Sequence, residues 1–361
     1  MAEIHLKQLA HSYHPHPSGV QDYALKEIDH VWEDGKAYAL LGASGCGKST
    51  LLNIISGLLH PSQGQVLFNG EDVTNLPTEK RHIAQVFQFP VVYDTMSVYD
   101  NLAFPLRNRG RDEATIRQRV GDIAEMLELT GELKKKARGL AADAKQKISL
   151  GRGLVRQNVA AILFDEPLTV IDPHLKWLLR MQLKSLHQRI SNTMIYVTHD
   201  QTEALTFADQ VVVMHDGYVV QIGTPQALFE RPSHTFVGYF IGSPGMNLLP
   251  VQIEGTQARL GELKIELPGR YTIPAGRKTE LGIRPEFVSL SRENRGHSLP
   301  VSIQHIEDIG RHRIVRAELA GHALNVIVPG DVAVSDDCRY LDFDRSRINI
   351  YADDWLQEAR T

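Results

Sequence analysis

Cysteine is nearly missing from this chain: its 361 residues contain two, Cys46 and Cys338. Two cysteines cannot build a disulfide framework, and one of them stands inside a glycine-rich loop, which fits a reducing compartment. An excess of basic charge is lacking as well. Lysine and arginine number 39 against 43 aspartates and glutamates, a net charge of −4, so no basic field draws the chain to nucleic acid. No apolar run approaches the roughly 18 residues of a membrane span; Val159–Phe164 is typical of the longest. The opening Met1-Ala-Glu-Ile-His-Leu6 has no charged-then-apolar leader pattern, so the chain is expected in the cytosol, reaching a membrane only by docking.

What is present is an ordinary globular balance, 42% hydrophobic and 23% charged, at a length natural for two domains. An α/β core is expected over 1–240. Residues 1–13 alternate as an edge strand does, and 14–24 read as a hairpin loop in which His14 and His16 are solvated turn residues rather than metal ligands. The runs Tyr38–Leu41 and Val159–Phe164 are continuously apolar, like strands buried on both faces of a parallel sheet, and Thr193–Thr198 reads as the next strand. Over about 89–157 helix formers dominate, and Ile116, Val120, Ile123, Met126 and Leu127 keep a helical period. Pro173–Ile190 is an amphipathic helix with Leu175, Leu179, Leu183 and Leu186 on one face, and Gln210–Gln221 is a hairpin turning at Asp216-Gly217. After about residue 243 the texture changes. Short alternating segments at 251–254, 280–283, 301–305, 314–319, 324–328 and 348–351, separated by Gly/Pro turns, read as a small all-β sandwich or barrel over 243–361, with 242–246 as the linker.

The chemistry concentrates at strand ends. Gly42-Ala-Ser-Gly-Cys-Gly-Lys-Ser-Thr50 is a G-x-x-x-x-G-K-[ST] phosphate loop between a buried strand and a helix-like run. Gly42, Ser44, Gly45, Cys46 and Gly47 let the backbone curl so that N–H groups meet phosphate oxygens, helped by the helix N-terminus. Lys48 can reach the β/γ-phosphates, the Ser49 hydroxyl can ligate Mg²⁺, and Thr50 closes the loop. Ile162-Leu-Phe-Asp-Glu-Pro167 ends a strand on two carboxylates: Asp165 can hold Mg²⁺, and Glu166 can act as general base on the attacking water. One strand later His199 can hydrogen-bond the γ-phosphate. Gln88 follows another strand, where its neutral oxygen could reach Mg²⁺ or the water. Tyr13 could stack on adenine, the alternative being an ordinary edge aromatic.

These elements, in this order, resemble the ATP-binding-cassette (ABC) ATPases over the whole chain, and among them the ATPases of carbohydrate-type importers such as the maltose importer. The resemblance identifies Gly42–Thr50 as Walker A, Gln88 as the Q-loop, Leu163–Pro167 as Walker B, Asp172 as the D-loop and His199 as the switch residue. Phe240–Pro250 and Gly282-Ile-Arg-Pro-Glu286 resemble that subfamily's entry into a regulatory β-barrel. It implies a P-loop ABC ATPase core with a helical subdomain, followed by an OB-like (TOBE) regulatory domain. It further implies ATP and Mg²⁺ as cofactors, with Ser49, Gln88 and Asp165 around the metal. Two membrane permeases would be gripped beside Gln88 and residues 90–100, a periplasmic solute-binding protein would act indirectly, and the site of work would be the cytoplasmic face of a bacterial inner membrane.

One departure stands out. Where the family carries Leu-Ser-Gly-Gly-Gln, this chain reads Leu140-Ala141-Ala142-Asp143-Ala144. In the family that serine and the glycine N–H groups cap the γ-phosphate held by the opposite subunit. Ala141 has no hydroxyl, Ala142 adds a β-carbon, and Asp143 sets an anion against an anion. The expectation that follows is a heterodimer with a second ABC ATPase bearing an intact signature, this chain's Ala141–Ala144 facing the weaker site. Such an altered-signature subunit resembles one ATPase of a bacterial glycerol importer, hence glycerol as the expected solute. The alternatives are a non-catalytic ATP-binding regulatory subunit and the ATPase of another carbohydrate or glycerol phosphate importer. A soluble cassette acting on nucleic acid or ribosomes is opposed by the acidic balance and the β-rich tail.

Overall fold

The computed structural model describes residues 2–360 apart from 157, 170, 191, 333 and 335–337. The chain divides after Pro225 into two compact units.

In the first unit, strands β1 (Ile4–His11), β2 (Leu25–Trp32) and β3 (Ala37–Leu41) lead into helix α1 (Lys48–Ser56). Next come β4 (Gln63–Phe68), β5 (Glu71–Asp72) and β6 (Ala84–Val86), then the helices α2 (Val98–Arg107), α3 (Glu113–Met126) and α4 (Ala142–Leu154). The unit ends with β7 (Ile162–Asp165), α5 (Pro173–Ile190), β8 (Met194–Thr198), α6 (Gln201–Phe207), β9 (Gln210–His215) and β10 (Tyr218–Gly223).

All five residues of β3 and all five of β8 are buried, as continuous apolar runs demand of strands covered on both faces. They lie in a six-stranded sheet of order β10-β9-β3-β8-β7-β6, parallel except for β10. Register aligns the strand tips. Leu41 stands beside Thr198, and Asp165 beside Val197, so the residues that follow, Gly42, Glu166 and His199, emerge along one edge. Ligands of open parallel sheets bind at this edge. The turn at Asp216-Gly217 has both residues at positive φ, 46° and 80°, the mirror-image geometry that suits the twist of a two-residue hairpin.

The second sheet is antiparallel, β2-β1-β4-β5. Strand β1 therefore lies between two partners and is not an edge strand. Its alternation reports one buried face, set by Ile4, Leu6 and Leu9, and says nothing of its lateral neighbours. A bulge at Gln8, with φ of 48°, breaks the alternation and buries Leu9, Ala10 and His11 in succession. One apolar core joins this sheet to the first through α1: Leu6, Leu9, Leu25 and Trp32 belong with Leu40, Leu51, Ile55, Ile195 and Val212. Helix α1 stops at Gly57, in the left-handed region at φ 81°, and fully buried Arg81 donates to the carbonyls of Ile54 and Ile55 at 2.7 and 2.9 Å. A guanidinium there satisfies the last carbonyls and complements the negative end of the helix.

The second unit opens with α7 (Pro225–Glu230) and α8 (Thr235–Phe240) and continues, among the described residues, as thirteen short strands: β11 (Asn247–Pro250), β12 (Gln252–Glu254), β13 (Gln257–Leu260), β14 (Leu263–Glu266), β15 (Thr279–Ile283), β16 (Val288–Ser291), β17 (Leu299–Pro300), β18 (Ser302–Asp308), β19 (His312–Leu319), β20 (His322–Pro329), β21 (Tyr340–Phe343), β22 (Asn349–Ala352) and β23 (Trp355–Gln357). They pair antiparallel in four sheets around a core of Leu249, Leu260, Leu281, Val315, Val326, Leu341 and Ile350. The Arg284 of Gly282-Ile-Arg-Pro is buried, stacks its guanidinium 4.0 Å from the Phe229 ring, and donates to the carbonyls of Leu228, Phe229, Gly238 and Ile241. That one side chain fastens α7 and α8 to the β-rich body.

Candidate functional site

The phosphate loop is shaped by three glycines for two different reasons. Gly45 and Gly47 sit at φ 83° and 100°, where side chains are strained. Gly42 is needed for space: a β-carbon there would lie 2.3 Å from the Met214 carbonyl oxygen. Gly47 also caps α1 without a side-chain hydrogen bond, so the N–H groups of the first turn remain for an anion. Cys46 is a buried filler behind the loop, and burial pushes its thiol pKa up, which keeps it neutral and unreactive. Ser44 is exposed at the loop tip. Lys48 lies folded back, its Nζ donating to the Gly42 and Ala43 carbonyls at 2.8 and 2.9 Å. An incoming phosphate would compete for that ammonium with two neutral oxygens, an exchange that favours the anion.

Across from it stand the acids. Asp165 accepts a hydrogen bond from the Ser49 hydroxyl at 3.2 Å. Burial raises the Asp165 pKa, and the neighbouring Glu166 adds to the rise, while Ser49 and Lys48 pull the other way. A half-buried carboxyl beside a hydroxyl is a pair of hard oxygen donors that fits Mg²⁺, a metal that takes its remaining ligands from phosphate and water. Among the described residues no cluster of three or more His, Cys, Asp or Glu could hold a metal ion.

Glu166 adopts φ 45°, a left-handed conformation rare for a residue with a side chain. It is held there by its own N–H, which donates to the Val197 carbonyl at 3.0 Å, and by Thr169, whose hydroxyl donates to the Glu166 carbonyl at 3.1 Å. The turn aims the carboxylate at His199, with Oε2 lying 3.2 Å from Nδ1. Beneath that pair lies a buried network missing from the sequence reading: Glu203 accepts from Thr198 at 2.8 Å and from Tyr196 at 3.1 Å, fixing the strand end that carries His199. Neither partner of Glu203 had a motif to flag it.

The structure brings Lys48, Ser49, Asp165, Glu166 and His199 to one sheet edge. Tyr13 is 63% exposed and its phenol oxygen lies 3.1 Å from the Thr50 hydroxyl, over the phosphate loop. Gln88 stands half-buried two residues past β6 and, among the described residues, makes no hydrogen bond with Ser49 or Asp165. Asp172 accepts from the His174 N–H at 2.9 Å, opening α5. Ala141 is the cap residue of α4, exposed and with no side-chain hydrogen bond, and Ala142, Asp143 and Ala144 form its first turn. Further along that helix, fully buried Gln146 donates to the Pro167 carbonyl at 2.6 Å, tying α4 to the segment just past Glu166.

Residues 25–169 match the family described as ABC transporter, and residues 242–288 match the MalK OB fold domain. The chain is similar to the sn-glycerol-3-phosphate import ATP-binding protein UgpC of Escherichia coli (strain K12), 43% identical over 280 residues that span 77% of this chain and 78% of that protein. It is 38% identical over 324 residues to the protein of the same name from Chromobacterium violaceum, spanning 89% and 86%. Among solved structures it is similar to cbiO1 of Clostridium perfringens, part of the ABC transporter complex cbiONQ, with a TM-score of 0.57 and 27% identity over 63% of this chain and 90% of the other. These matches correct one expectation. A heterodimer with a different ATPase does not stand, because the similarity runs along import ATP-binding proteins of one kind that go with a MalK-type tail. The altered signature describes what this segment can do to a phosphate; it carries no information about the identity of the subunit opposite.

Proposed function

The chain belongs to the ATP-binding subunits of ABC importers, ATP hydrolases by family, and from that premise we propose that it energises uptake of glycerol or a glycerol phosphate. The observation that carries the reading is the 43% identity over 280 residues to a glycerol-3-phosphate import protein, and Lys48, Ser49, Asp165, Glu166 and His199 at one sheet edge support it. The cassette extends over 1–240 and the regulatory domain over 243–361. Two copies of the chain close on ATP at the cytoplasmic face of a bacterial inner membrane, each docked on a permease, with a periplasmic binding protein delivering the solute. No described helix is long and apolar enough to cross the membrane itself.

The parts act as follows. Lys48 moves from the Gly42 and Ala43 carbonyls to the β/γ-phosphates, while the free N–H groups of the first turn of α1 take the phosphate oxygens. Ser49 and Asp165, with Gln88, would hold Mg²⁺, which when bound neutralises phosphate charge. Glu166, turned outward by its left-handed backbone, accepts the proton of the attacking water, and His199 releases that carboxylate to orient the γ-phosphate. Tyr13 stacks on the adenine.

In a strain lacking this gene, labelled glycerol and sn-glycerol-3-phosphate should fail to accumulate, and the wild-type chain but not Lys48→Ala should restore uptake. Unchanged entry of both solutes would refute the substrate class. A second reading, an ATP-binding subunit that hydrolyses nothing, is favoured by Ala141 and Asp143. Purified chain whose ATPase activity is the same with Glu166→Gln as without would establish it.

A further inference from the structure

Tyr13 is fastened at two points, and only one of them belongs to a known motif. Its hydroxyl meets Thr50 of the phosphate loop. Its ring is met edge-on by His11, the two centroids 4.7 Å apart and the planes at 89°. This is the arrangement in which the positive edge of one ring lies against the negative face of the other. His11 differs from Tyr13 in being buried, 6% exposed against 63%. It is also anchored. Its Nδ1 lies 3.3 Å from the Ser62 hydroxyl, and that serine in turn accepts from the Ser12 N–H at 3.1 Å while donating its own N–H to the Ala10 carbonyl at 3.0 Å. Ser12 ties the same bend to the next segment, its hydroxyl donating to the Asp22 carbonyl at 2.7 Å.

A large exposed aromatic has two soft side-chain torsions, and a base that stacks on it must first select one setting. The bend at 10–13 removes that freedom from below. Burial lowers the pKa of the imidazole, with the His60 carbonyl partly offsetting the effect, so near neutral pH the ring beside Tyr13 is uncharged and behaves as a flat aromatic wedge.

We propose that His11 is a positioning residue of the nucleotide-base subsite, holding the Tyr13 ring at the angle at which a purine stacks on it. The inference rests on the reading of Tyr13 as the adenine platform. It extends the site to a residue that touches neither phosphate nor metal, and it names the class of ligand affected: nucleotides carrying a planar base, and not phosphate chains alone.

The test compares binding of ATP and of inorganic tripolyphosphate to the full-length chain by titration calorimetry, with Mg²⁺ present. His11→Leu should weaken ATP by about threefold to tenfold, the worth of one aromatic pair, and leave tripolyphosphate unchanged. His11→Phe, which keeps the wedge and loses the hydrogen bond to Ser62, should recover most of the loss. Combined with Tyr13→Ala, His11→Leu should add nothing further. Equal weakening of ATP and tripolyphosphate would mean that His11 supports the loop as a whole, and would overturn the proposal. So would ATP binding that His11→Leu leaves intact while Tyr13→Ala impairs it, a result that spares the stacking reading. Tyr13→Ala with undiminished ATP affinity would instead refute the stacking reading itself. Should His11→Leu not fold, His11→Phe against His11→Gln makes the same comparison: the phenyl ring should bind ATP severalfold more tightly than the carboxamide, and equal affinities would overturn the assignment.

Discussion

Restoring the family signature should speed ATP hydrolysis by this chain, and the size of the gain follows from the helix start that carries it. Ala141 caps α4 in extended backbone, φ −62° and ψ 160°, the conformation in which a cap serine would present its hydroxyl beyond the helix end. In the proposed pair of identical subunits each α4 start would face the other copy's phosphate loop. Ala141→Ser would supply one hydrogen bond to a charged oxygen, about 1.5–3 kcal/mol. Asp143, only partly covered in the first turn, would oppose the γ-phosphate in that pair. At about 5 Å and an effective dielectric of about 20, one charge against another costs about 3 kcal/mol, and roughly a third of that survives solvent screening. The triple variant Ala141→Ser/Ala142→Gly/Asp143→Gly therefore gains about 3 kcal/mol at the nucleotide, close to a hundredfold in rate if it is realised in the transition state. Fold stability should hardly move, because a serine cap contributes about 1 kcal/mol and each first-turn glycine costs less than that. The assay is steady-state phosphate release at saturating Mg-ATP, with thermal melting as the control. A triple variant no faster than wild type, its melting temperature unchanged, would refute the idea that this segment limits turnover.

Glu166→Gln keeps the contact with His199 but cannot take a proton, so phosphate release should fall about 10²- to 10⁴-fold while ATP titrates with unaltered affinity. Lys48→Ala removes the ammonium from the loop, and ATP affinity measured by calorimetry should drop about tenfold to a hundredfold. The raised pKa of Asp165 means that the nucleotide-free fold holds this proton more tightly than the unfolded chain does. Its contribution is then complete at acid pH and is lost as pH rises through the raised value; melting followed upward from acid pH should lose that slope in Asp165→Asn. Mg²⁺ competes with the same proton, so its stabilising effect should grow over that window. Arg284→Ala removes a charged donor from the carbonyls of Leu228, Phe229, Gly238 and Ile241, of which Gly238 keeps the Met246 N–H, and calorimetric scanning should find the second unit's transition destabilised by about 3 kcal/mol.

What could be read from the chain and what could not divide along a physical line. Features fixed by near neighbours were legible. The phosphate loop needs a strand before it and a helix after it, and β3 and α1 supply them; Asp216-Gly217 can hardly do anything but turn; the apolar runs became β3, β7 and β8 because nothing except a doubly covered strand buries them. Strands β13, β14, β16 and β21 of the second unit escaped, because four-residue segments carry so few alternations that only some, such as 348–351, stand out from loop sequence. Also out of reach were side chains whose partners lie far along the chain: Arg81 against the end of α1, Arg284 against α7 and α8, and Gln146 against Pro167. None of these residues sits in a pattern that announces its role, and each is a long polar side chain, a type that single-sequence reading assigns to the surface.

The error about the partner has a related origin and a sharper lesson. Ala141, Ala142 and Asp143 lie at the start of a helix whose cap has no side-chain hydrogen bond, and their effect on a phosphate is what the triple variant measures. The step from a weak signature to a different companion assumed that a functioning complex must contain one good copy. Two equal, weak contributions satisfy the same local observation, and they lead to a different regulatory logic. Hydrolysis would then be slow by construction in both sites, with Glu166, His199 and the Glu203 network beneath them kept intact and waiting on whatever drives the two α4 starts against the opposite phosphates. In such a machine the barrier lies in closure rather than in proton transfer. Substitutions at the helix start should therefore change the rate far more than they change nucleotide affinity, whereas substitutions around Tyr13 should do the reverse.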